Sequence, residues 1–107
     1  MRKAPASRPH EEWLHEQLKD PVFAAEYLST AAADEPVVYL AALRNVAESR
    51  GMAKIARAAG LPRESLYRAL SPRGNPRLST LTAIMSAVGM KLAAEPVRRK
   101  AAARRAS

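Results

Sequence analysis

Apolar residues recur at three- and four-residue spacing along most of this chain, the period of an amphipathic helix. That spacing predicts six helices. The first covers residues 11–19, with Trp13, Leu14 and Leu18 as its apolar positions. The second runs from 21 to about 32 and offers Phe23, Tyr27 and Leu28 for packing. The third, residues 36–50, places Tyr39, Leu40, Leu43, Val46 and Ala47 on one face and Arg44, Asn45 and Glu48 opposite. Residues 52–59 and 63–70 are two short helices broken at Gly60-Leu61-Pro62. The last helix, 78–88, turns Leu78, Leu81, Ile84, Met85 and Val88 inward and Ser79, Thr82 and Ser86 outward. Residues 90–96 are too short and too extended in pattern for a further helix and read as one strand. The expected class is all-α: a helical bundle with extra N-terminal helices and a short C-terminal strand.

Glycine and proline punctuate this pattern. Gly51, Gly60, Gly74 and Gly89 all fall at the ends of apolar-periodic segments, where a chain needs left-handed backbone or a tight turn. Pro21, Pro36, Pro62 and Pro76 stand at or just before helix starts, where a missing N–H costs nothing. Asp20 precedes Pro21, and Asp34-Glu35 precede Pro36; these carboxylates are expected to cap free N–H groups. The breaks divide the chain into a disordered basic N-terminus (1–10), a helical extension (11–34), a main domain (35–96) and a disordered basic tail (97–107).

The chemistry concentrates in residues 52–71. Two short helices joined by a Gly-containing turn are the helix-turn-helix signature. A close crossing needs a small residue, here Ala56, and the turn needs one free to take positive φ, here Gly60. Ile55, Leu61, Leu66 and Leu70 are the apolar pegs that fix the second helix from behind. Its outward face then shows Arg63, Glu64, Tyr67 and Arg68, with Ser71 beyond its end. Such a face suits the major groove of DNA, where Arg matches the paired acceptors of guanine. Glu64 either accepts from a cytosine amino group or holds Arg68 through an i,i+4 pair. Tyr67 either reaches a phosphate or thymine methyl or packs half-buried. Lys54 and Arg57 on the preceding helix, and Arg73, Asn75 and Arg77 in the following loop, fit backbone grip, with Ser71, Ser79 and Thr80 nearby. Each basic residue alone is equally a solvated surface charge; their grouping carries the reading.

Charge strengthens it. Residues 1–49 hold five Lys/Arg against eight Asp/Glu, a balance of −3. Residues 50–107 hold thirteen Lys/Arg against only Glu64 and Glu95, a balance of +11. A half so basic is built to meet a polyanion, because each phosphate neutralised releases a counterion. The absence of cysteine removes disulfides, zinc–cysteine sites and thiol catalysis, and fits a reducing, cytoplasmic setting. His10 and His15 cluster with nothing, and Glu11, Glu12 and Glu16 read as a solvated helix face. With no Gly-rich phosphate loop and no metal-ligand spacing, an enzyme, a metal site and a cofactor are not expected.

Several stretches resemble a known family. Ile55-Ala-Arg-Ala-Ala-Gly-Leu, Arg63-Glu-Ser-Leu-Tyr-Arg-Ala-Leu-Ser, Gly74-Asn-Pro-Arg-Leu-Ser-Thr-Leu and Val88-Gly-Met-Lys-Leu carry the likeness, with a lead-in from Leu18 to Leu28. Together they resemble the addiction-module antidote (antitoxin) family, a branch of the Xre-like, lambda-repressor-like helix-turn-helix proteins related to HigA-type antitoxins, over about residues 11–96. The resemblance implies a protein encoded beside a small RelE/HigB-like toxin that it binds and neutralises, and an autorepressor of the shared operon. It also implies that Arg63, Glu64, Tyr67 and Arg68 read DNA. One position departs: the family often has Ser where this chain has Pro62, which removes a side-chain cap worth about 1 kcal/mol.

Two other readings compete: a stand-alone, prophage-type regulator without a toxin, and a protein- or RNA-interaction module. A homodimer is expected, since such proteins usually read two half-sites. Residues 90–95 would pair with their symmetry mate, add to a toxin sheet edge, or cap the last helix as coil. The acidic helices before Arg50 are the surface expected to face a basic toxin.

Overall fold

The structure is a computed structural model that describes the backbone of residues 3–97 and the side chains of residues 9–97. It is all-helical: α1 (Lys3–Gln17), α2 (Pro21–Ala32), α3 (Pro36–Arg50), α4 (Met52–Ala59), α5 (Arg63–Ala69) and α6 (Leu78–Ala87). Within the described residues no helix is long and apolar enough to cross a membrane. The short α4 sits at the centre and touches α3, α5 and α6, while α1 and α2 pack on α3.

The core is aliphatic. Leu18, Leu43, Val46, Leu66, Leu70, Ile84 and Val88 are its largest fully buried side chains, and no described polar or charged residue is buried. Alanines let the helices approach closely: Ala24, Ala42, Ala47 and Ala56 are all buried. Each buried Leu or Ile contributes about 1.5–3 kcal/mol, so this cluster dominates stability.

The helix boundaries follow local chemistry. Pro21 opens α2, and Asp20 caps it by accepting from the Val22 N–H at 3.2 Å. The expected cap on α3 does not form. Glu35 makes no side-chain cap bond, and Asp34 instead accepts from the Glu35 N–H just outside the helix. Gly60 (φ 73°) ends α4: its N–H bonds the Arg57 carbonyl and the Leu61 N–H bonds the Ala56 carbonyl, a Schellman closure that only left-handed backbone allows.

Gly51, Gly60 and Gly89 take positive φ, whereas Gly74 does not and instead closes a tight turn, its N–H donating to the Ser71 carbonyl at 2.8 Å. It is required for proximity: a Cβ there would strike the backbone carbonyl of Ala69, because the loop folds back onto the end of α5.

Three further expectations are corrected. Helix α1 begins at Lys3 rather than near Glu11, so residues 3–10 are not irregular. Pro5 lies in the first turn, where its missing N–H has no partner to lose, and only Pro9 interrupts the ladder. Met1, Arg2 and the tail beyond Val97 lie outside the described residues. Leu78, expected inward, is 68% exposed at the first position of α6, whereas Leu81, one turn on, is half-buried against the core. Residues 90–97 form no strand. The Met90 N–H donates to the Met85 carbonyl at 2.8 Å and closes α6, and no strand among the described residues lies alongside to complete a ladder.

A candidate nucleic-acid interface

Helices α4 and α5 meet across the three-residue turn 60–62. Behind α5, Leu66 and Leu70 are 0% and 1% exposed, with Ile55 and Ala56 buried beneath them and Leu61 half-buried at the turn. With that side fixed in the core, Arg63, Glu64 and Arg68 stand exposed on the other. Lys54 and Arg57 on α4, and Arg73, Asn75, Arg77 and Ser79 around the loop to α6, are exposed as well. From Lys54 to Arg77 six basic residues therefore face solvent, and none pairs with a carboxylate among the described residues.

The local bonding settles smaller questions. Glu64 and Arg68 do not pair; the Arg68 guanidinium lies 3.4 Å from the Ser65 hydroxyl instead. That leaves the Glu64 carboxylate free as an acceptor. The Ser71 hydroxyl donates to the Arg68 carbonyl at 2.9 Å, so its proton is already used at the end of α5. Thr80 is half-buried on the first turn of α6.

Tyr67 is half-buried and packs against the core, and two guanidinium groups lie over its ring. Arg63 is 5.9 Å and Arg44 5.4 Å from the ring centroid. Each such contact contributes about 0.5–1 kcal/mol at a partly exposed site. Tyr67 thus orients Arg63 from within its own helix.

Arg44 joins the site although it is not among the sequence-predicted site residues. It stands opposite the apolar face of α3, and there its guanidinium lies over the Tyr67 ring of α5. Its Nε donates to Glu48 Oε2 at 3.1 Å, and Glu48 Oε1 in turn lies 3.7 Å from His15 Nε2 on α1. The only hint in the sequence is the i,i+4 spacing of Arg44 and Glu48.

Arg50 was also unmarked. It donates from Nη1 to the Val88 carbonyl at 2.9 Å and from Nη2 to the Leu18 carbonyl at 3.1 Å. One cation at the end of α3 thereby serves the free carbonyls at the ends of α6 and α1, where helix dipoles favour positive charge.

A family model described as "Probable addiction module antidote protein" matches residues 12–96. The chain belongs to this family. The match takes in α2 to α6 and the last six residues of α1. A protein of Haemophilus influenzae (strain Rd), described only as an uncharacterized protein, is 43% identical over 58 residues. That alignment covers 54% of this chain and 60% of the relative, so the chain spans less than two thirds of the length of the curated relative it matches. No solved structure matches the chain.

Proposed function

We propose that this antidote-family chain is a sequence-specific DNA-binding antitoxin of a type II module. It neutralises a small RelE/HigB-like toxin and represses the operon that encodes both. The fold is read as a lambda-repressor-like, Xre-type helix-turn-helix, preceded by an N-terminal helical extension and acting as a cytoplasmic homodimer. Helix α5 enters the major groove. Arg63 and Arg68 address base edges, Glu64 accepts from a cytosine amino group, and Tyr67 holds Arg63 in place. Lys54, Arg57, Arg73, Asn75, Arg77 and Ser79 grip the phosphates on either side, with Ser71 closing α5 beside them.

The observation that carries this reading is the two-sidedness of α5. Leu66 and its C-cap Leu70 are 0% and 1% exposed, so the helix cannot turn, and its cations are held outward without carboxylate partners among the described residues. Family membership supports the toxin-facing role. No metal or cofactor enters the proposed activity.

The test is fluorescence anisotropy with the duplex upstream of the chain's own gene against a random duplex at about 150 mM salt. A specific complex about a thousandfold tighter than the random one is expected. Equal affinities would remove the operator-binding claim. Co-purification of the neighbouring gene's small product with the chain tests the antitoxin claim separately.

A further inference from the structure

The stretch from Asp20 to Leu43 contains four acids (Asp20, Glu26, Asp34 and Glu35) and no Lys or Arg, within a chain of net charge +8. This stretch folds into α2 and the first half of α3, and between them lies a groove of about 470 Å³. Phe23 and Tyr27 of α2 and Val38 of α3 line it. Small residues make the space: Ala31 and Ala42 are buried in its wall where larger side chains would fill it. Glu26 and Asp34 also line the groove, are exposed, and have no cationic partner within 4 Å among the described residues.

The apolar surface continues beyond the groove. Trp13 is 52% exposed and meets the edge of Phe23, with ring centroids 6.1 Å apart. A connected apolar surface flanked by unpaired carboxylates is the pattern of a protein-docking site. Its charge sign is wrong for a phosphate backbone and opposite to that of the α4–α5 side.

We propose that the α2–α3 groove is where the toxin docks, taking an apolar side chain from a toxin segment that carries Lys or Arg beside it. This rests on the antitoxin reading above. The apolar anchor fills the space left by Ala31 and Ala42, and its basic neighbours pair with Glu26 and Asp34. None of the groove-lining residues belongs to α4, α5 or the loop that follows α5, so the residues assigned to the toxin differ from those assigned to the operator.

The test uses the full-length chain and the purified small protein encoded beside its gene. Two variants address the groove: Ala41→Trp, which places a bulky group at an exposed groove-lining position, and the double charge reversal Glu26→Lys/Asp34→Lys. All three positions are exposed, so helix content and melting temperature should hold, and the preference for operator over random duplex should be unchanged. Each variant is expected to weaken toxin binding by about tenfold or more in calorimetry. Variants that bind the toxin as tightly as the parent chain overturn the groove while leaving the antitoxin reading intact. A parent chain that does not bind the neighbouring protein removes both. If Ala41→Trp instead splits a dimer of the free chain and spares toxin binding, the groove is a self-interface and the proposal fails.

Discussion

Arg50 offers the sharpest check on how this fold is held together. Replacing it with Met keeps a stem of similar length but deletes the guanidinium. Two hydrogen bonds from a charged donor are lost, to Val88 and Leu18, each contributing about 1.5–3 kcal/mol. The loss is partly offset, because Arg50 Nε is buried without a partner and its desolvation cost of about 1–3 kcal/mol disappears with it. The net expectation is a destabilisation of about 2–3 kcal/mol. For a domain of this size that lowers Tm by roughly 10–20 °C. Urea and thermal melts followed by far-ultraviolet circular dichroism measure it. Arg50→Lys should recover part of the loss, since an ammonium reaches one carbonyl more easily than two. A melt for Arg50→Met within about 0.5 kcal/mol of the parent would show that water satisfies both carbonyls equally well, and would refute the claim that one side chain ties three helix ends.

Further outcomes follow from the same geometry. Gly74→Ala should destabilise by about 1–3 kcal/mol, because its Cβ meets the rigid carbonyl of Ala69 rather than a movable side chain; a neutral result in urea melts would contradict the close approach. On the proposed DNA-binding role, Arg63→Ala or Arg68→Ala should cost about 1–3 kcal/mol of discrimination at one base position, whereas Arg73→Ala or Arg77→Ala should weaken all duplexes alike and flatten the salt dependence by about one unit of slope. Competition anisotropy across single-base operator variants separates the two patterns. Burial of the Tyr39 hydroxyl, which donates to Met85 Sδ at 3.6 Å, raises its pKa above the ordinary 10.0. The unfolded chain therefore ionises this phenol first, so its contribution to stability is constant below pH 10 and is lost as pH rises through the folded value. Tyr39→Phe should remove that alkaline loss in melts taken across the range.

The two patterns that locate α4 and α5 were legible in the sequence for a local reason. Two short helices with aliphatic pegs at 55 on the first and at 66 and 70 on the second, and a glycine at 60 between them, specify their own turn and inward faces through steps of three and four residues. The exposed cations opposite those pegs follow from the same periodicity. The contact of Arg44 with Tyr67 is not legible in the sequence, because a helical wheel separates core from non-core but does not say which neighbour meets the remaining face. The strand read at 90–96 failed likewise: extended residues become a strand only if another strand supplies partners.

The sequence by itself therefore determined the helices, the acidic and basic halves, and the side of α5 that turns away from the core, because these depend on neighbours within a turn or two. Tertiary structure alone decided that Tyr67 carries two arginines, that Arg50 binds the ends of two other helices, that Gly74 must have no side chain, and that a groove opens between α2 and α3. Each of these joins residues distant along the chain, and such pairings are fixed by how helices pack rather than by the period of any one of them.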